Sequence, residues 1–88
     1  MHEIIYTDAF IGDMAKVYSE RVRNGIFNSI DLFPVVPILG STDLPEYILQ
    51  KYGPSVRKMP ISPFLVIYKI LDDEDFLILG LVHERQAY

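Results

Sequence analysis

Six side chains in this 88-residue chain could work on a phosphate or move a proton: Arg57, Lys58, Lys69, His83, Arg85 and Tyr88. A histidine exchanges a proton near neutral pH. An arginine holds a phosphate through its planar fork of donors. A tyrosine stacks on a base or donates a hydrogen bond. Each also has a plainer reading. His83 would be a strand-end histidine bonded to the backbone, Arg85 a surface partner of Glu84 or the acidic turn, and Tyr88 a frayed end.

Spacing decides which of these groups can meet. Alternate side chains of a strand share a face. Leu77, Leu79, Leu81, His83 and Arg85 form one set, and Phe76, Ile78, Gly80 and Val82 the other. An unbroken strand therefore sends His83 and Arg85 out on the same side. Gly80 is the weak point, because a mid-strand glycine marks a bulge or a close approach, and a bulge would reverse the assignment. Arg57 and Lys58 are neighbours, so one of them shares a side with His83. Lys69 is the one charge within the run Phe64 to Leu71, where a snorkelling side chain at a sheet edge accounts for it.

Composition limits the chemistry further. There is no cysteine, which excludes disulfides, thiolate metal sites and a thiol nucleophile. Two histidines are too few for a metal centre, and no cofactor motif is present, so neither a metal nor a cofactor is expected. The net charge of −4 opposes nucleic-acid binding. It is concentrated in the run Asp72-Asp73-Glu74-Asp75, without which eight acids face eight bases. That run reads as a solvated turn, lacking the spaced ligands and glycine of a calcium loop. No apolar stretch approaches the ~20 residues of a membrane helix. The start shows no secretory pattern, so a cytoplasmic protein without membrane contact is expected.

The elements that must position these groups follow from periodicity. Glu3 to Thr7 reads as a strand, with Thr7 or Asp8 capping a helix. Phe10, Ile11, Met14, Val17, Tyr18 and Val22 have helical spacing. Asn24-Gly25 reads as a stop or a tight helix–helix turn, followed by a second helix through Ile26, Phe27, Ile30 and Phe33. Pro34 and Pro37 end it, and Val35 to Thr42 is an apolar loop. Asp43 and Glu46 have capping-box spacing for a short helix ending near Tyr52-Gly53-Pro54. Tyr18, Tyr47, Tyr52 and Tyr68 read as core or boundary residues. Val56–Ile61, Phe64–Leu71 and Asp75–His83 read as strands, the last two joined by the acidic turn. Residues 1–88 thus form one domain of α+β class. An N-terminal strand and a helical hairpin pack on a small, mainly antiparallel sheet, covered on one face and partly on the other.

Taken in order, these segments resemble the RelE/ParE superfamily of toxins from bacterial type II toxin–antitoxin modules. The resemblance covers essentially the whole chain. It runs through "TDAFIGDM", "LFPVVPILG", the arginine-bearing "VRKMPI", "PFLVIYKI" and the closing "FLILGLVHERQAY". The resemblance implies a RelE/ParE-like fold and a cytoplasmic growth inhibitor neutralised by a cognate antitoxin, with a homodimer as one option. Within the family two activities diverge, and the expected one here is ribosome-dependent mRNA cleavage, with gyrase inhibition as the alternative. RelE-like members cut mRNA on the ribosome. Here that would assign proton transfer to His83 or Tyr88 and phosphate stabilisation to Arg57 and Arg85, with Lys58 or Lys69 as lesser substrate contacts. ParE-like members bind and inhibit DNA gyrase without catalysis. An inactive homologue that only binds antitoxin is a third option, and an unrelated interaction module comes last. Two features depart from the RelE pattern: the acidic balance, and an end at Tyr88 that leaves no helix beyond the tail.

Overall fold

The computed structural model describes residues 3–35, 41–72 and 74–87. Strand β1 (Ile4–Tyr6) is followed by helices α1 (Asp8–Met14), α2 (Glu20–Ile30) and α3 (Glu46–Tyr52). Strands β2 (Arg57–Ile61), β3 (Phe64–Ile70) and β4 (Phe76–His83) come next, and a short helix α4 (Glu84–Ala87) closes the described chain. The strands form one sheet in the order β1-β4-β3-β2. Strand β1 runs parallel to β4, and the other pairings are antiparallel. The α+β class and the mainly antiparallel sheet agree with the sequence.

Thr7 shows how the first crossover is built. It is the N-cap of α1, its side-chain oxygen accepting the Phe10 N–H at 3.2 Å. Its hydroxyl donates to the Ile78 carbonyl of β4 at 2.8 Å. One residue thus ends β1, starts α1 and pins both to the central sheet.

The helical hairpin breaks earlier than the sequence suggests. The expected helix through Val22 stops at Met14, residues 15–19 form the connection, and Asn24-Gly25 lies inside α2. Ser19 starts the second helix by accepting the Val22 N–H at 3.2 Å. A glycine inside a helix costs about 1 kcal/mol. Ile26 and Ile30 are fully buried, and each such burial is worth about 1.5–3 kcal/mol. Packing therefore overrides the local stop signal.

The third helix also starts differently. Pro45, not Asp43, is its N-cap, with no side-chain capping bond. The Asp43 N–H instead donates to Ser41 Oγ at 3.0 Å. The helix ends at Gly53, whose φ of 102° suits a residue without a Cβ.

Both faces of the sheet are covered. On one, Phe10, Met14, Ile26, Ile30 and Phe33 of the hairpin segment pack on Val66, Tyr68, Phe76 and Ile78. On the other, Ile48 of α3 and Val56 pack on Leu65 and Ile67. This explains the nearly continuous apolar run of β3, in which Leu65 to Tyr68 are all buried. The second face is more fully covered than the sequence implied, because α3 lies across it.

Candidate functional site

Strand β4 is not regular, and the irregularity decides where the C-terminal groups go. Tyr68 pairs with Ile78, but Ile67 pairs with Gly80, so Leu79 is an extra residue in a bulge. The simple alternation therefore fails, and it fails at the glycine the sequence flagged. Leu79 packs in the α3-side core, as Val82 does. Leu81 packs with the hairpin-side core. His83 pairs with Phe64, which also packs there. The bulge has a close neighbour: a Cβ on Gly80 would stand 2.5 Å from the Tyr52 hydroxyl oxygen. Only a glycine leaves room for Tyr52 to lie against the bulged strand.

His83 and Arg85 do not leave the sheet as strand neighbours. The strand ends at His83, and Arg85 is exposed on α4, a helix the sequence reading left out. The Arg85 backbone N–H donates to His83 Nδ1 at 3.2 Å. In the neutral imidazole the proton therefore lies on Nε2. The His83 ring meets Phe64 edge to face, with centroids 5.5 Å apart.

Arg57 pairs with Tyr68, so it belongs to the hairpin-side face, as His83 does. Its proximity is felt by Tyr68: burial pushes the phenol above its ordinary value, and the Arg57 charge partly offsets this. The two candidates nevertheless occupy opposite corners. Four residues of β3 separate their pairing positions, and they lie on strands two apart. That is about 13 Å along the strands and about 10 Å across them. Lys58 pairs with Ile67, and by alternation Lys58 and Lys69 both belong to the α3 side. Tyr88 lies outside the described residues. The sheet thus distributes Arg57, Lys58, Lys69 and His83 over two faces and two ends, and it does not gather them around one point.

What does surround His83 is different. A cleft of about 240 Å³ is lined by Asp13, Lys16, Val17, Phe64, Leu81 and His83. Asp13 closes its inner side, its Oδ2 accepting the Leu81 N–H at 3.0 Å. Beyond Leu81 and Asp13 a second cleft, of about 340 Å³, opens toward Tyr47, Lys51 and Tyr52. The Lys51 ammonium sits 5.2 Å from the Tyr52 ring centre. The first cleft offers a proton-exchanging group and one cation, but no arginine from β2. Its other strand-borne walls are apolar.

Asp13, Lys16 and Tyr18 were not picked out by sequence. Unbroken helical spacing from Phe10 to Val22 hid the connection that carries Lys16 and Tyr18. The legible signal was Ser19 before Glu20, a cap followed by a first-turn acid. Tyr18, expected at a core boundary, is 98% exposed. Among the described residues, nothing packs over this ring, which is displayed from the connection between two helices.

The chain thus combines a small mixed sheet with β1 parallel to β4, a helical hairpin on one face and a C-terminal strand ending in His83. The chain belongs to the family described as the ParE toxin of the type II toxin–antitoxin system parDE, whose model matches residues 4–88. Among solved structures it is similar to a chain of the chromosomal ParDE system of P. aeruginosa, with 14% identity and a TM-score of 0.73. That match covers 94% of this chain and 96% of the other. A chain of the Mycobacterium tuberculosis RelBE2 complex is similar at 16% identity and a TM-score of 0.72, covering 93% and 96%. A chain of the intact E. coli RelBE complex is similar at 12% identity and a TM-score of 0.69, covering 94% and 96%. These likenesses are of fold. No curated protein sequence matches the chain. Among the described residues no helix is long and apolar enough to cross a membrane.

Proposed function

We propose that this toxin is held inactive by a cognate antitoxin and, when released in the cytoplasm, arrests growth by binding DNA gyrase, without catalysis. The observation that carries this reading is the dispersal of Arg57, Lys58, Lys69 and His83 over both faces and opposite ends of the sheet. Cleaving RNA through its 2′-hydroxyl needs a base, a cation on the phosphate and an acid within a few ångströms of one another. Inhibition by binding needs only a complementary surface. The acidic balance of the chain supports the same reading, since a net charge of −4 opposes docking on polyanionic RNA. The antitoxin is inferred from family membership and from the toxin–antitoxin complexes among the similar structures.

The second reading, ribosome-dependent mRNA cleavage, draws on one observation: His83 and Lys16 line the same cleft, with Arg85 close in sequence. The two readings separate on induced expression. Binding predicts growth arrest without new mRNA 5′ ends inside reading frames, and arrest that survives Arg57→Ala. New in-frame 5′ ends, lost with Arg57→Ala, would replace gyrase binding with cleavage. An inactive homologue would produce no arrest at all.

A further inference from the structure

The hairpin connection and the end of β4 form one pole of the molecule. Lys16 and Val17 line the His83 cleft, and Tyr18 follows directly at 98% exposure. The connection is held in place: the Arg23 guanidinium donates to the Val17 carbonyl. Asp13 ties the end of α1 to Leu81. The Tyr18 ring is therefore presented by an anchored loop.

Charge is unevenly divided between this pole and the other. Lys16, Arg21, Arg23 and Arg85 stand here with Asp13, Glu20 and Glu84, a small positive excess. At the opposite pole Glu3 meets Asp75, its N–H donating to the Asp75 carboxylate at 2.9 Å, beside Asp72 and Glu74. Asp31 lies there too, close enough to Tyr6 to help burial push that phenol up. Arg57 and Lys69 also stand at this end, where β3 runs into the acidic turn, and the five acids outnumber these two cations, so the pole remains acidic.

We infer that the Lys16–Tyr18 connection, with the adjoining His83 cleft, is the surface that engages the inhibited protein, and that it fits an acidic segment of that protein. An exposed tyrosine beside a cleft is the composition of an interface anchor, and the neighbouring lysine adds charge at its rim. The local positive excess selects an acidic partner, and the acidic far pole disfavours one as densely charged as RNA. The inference rests on the binding reading above and adds which face is used. It also orients the complex, with the acidic pole turned away from the target and steering the encounter.

The test uses the full chain and purified gyrase in a supercoiling assay, with Lys16→Glu, Tyr18→Ala and, at the far pole, Asp72→Lys. Lys16 and Tyr18 are exposed, so both variants keep the wild-type melting temperature. Lys16→Glu and Tyr18→Ala are each expected to raise the half-inhibitory concentration about tenfold or more, the size of a lost anchor contact. Asp72→Lys should leave it unchanged, and added salt should weaken the wild type more than Lys16→Glu. Full inhibition by both near-pole variants overturns the surface and leaves the binding reading intact. Loss of antitoxin binding alone assigns the surface to the antitoxin and likewise overturns it. A wild-type protein that spares gyrase but binds RNA overturns both.

Discussion

At the scale of single residues, Gly80 carries the most structural consequence. Its missing Cβ makes room for the Tyr52 hydroxyl. Gly80→Ala should cost about 1–3 kcal/mol, the range for overpacking a closed site. Adding Tyr52→Phe removes the atom at 2.5 Å but leaves ring carbons at 3.0 and 3.2 Å, so it should restore part of the loss. Urea denaturation of the single and double variants measures this, and simply additive costs would contradict the contact. Tyr68 makes a prediction in pH. Its folded pKa is raised, chiefly by burial. Its stabilising contribution is complete below the ordinary tyrosine value of about 10 and is lost as pH rises through the folded value. Thermal stability should therefore fall above about pH 10 as phenolate absorbance appears, and Tyr68→Phe should lessen that fall. Tyr6, raised in the same direction, contributes to the remainder.

At the scale of elements, Thr7 is the joint between β1, α1 and β4. Thr7→Ala removes a cap and a bond to the Ile78 carbonyl, and should cost about 1–2 kcal/mol. Thr7→Ser keeps both oxygen contacts and should lose much less, as denaturation midpoints will show. The strands and the cap were legible in sequence because apolar runs and a threonine before an acidic turn are local signals. The break in the hairpin was not. Val17 and Tyr18 prolong the helical spacing by accident of position, while burial of Ile26 and Ile30 carries α2 through Gly25. The bulge was legible only as a possibility at Gly80, since whether a strand gains a residue depends on its neighbour and on Tyr52 above it. The same limit applies to the site. Residue types pointed to His83, Arg85 and Arg57, but register sets the corners on which His83 and Arg57 stand, and the turn into α4 takes Arg85 out of the strand. Asp13 and Lys16 reach His83 through tertiary packing alone.

At the scale of the whole molecule, the fold separates two poles, one with a cleft, an exposed tyrosine and a positive excess, the other acidic. Among the described residues, Arg57, Lys58, Lys69 and His83 are spread over two faces and two ends of the sheet, and the proposal of action by binding rests on that spread. Steering by such a charge distribution is weakened by salt, so inhibition should fall as ionic strength rises, which titration at several salt concentrations checks. The most direct measurement is DNA supercoiling by purified gyrase with increasing amounts of the purified chain, free of antitoxin. The account predicts dose-dependent loss of supercoiling, reversed when antitoxin is added. Undiminished supercoiling at large excess, together with cleavage of mRNA on translating ribosomes by the same preparation, would contradict it.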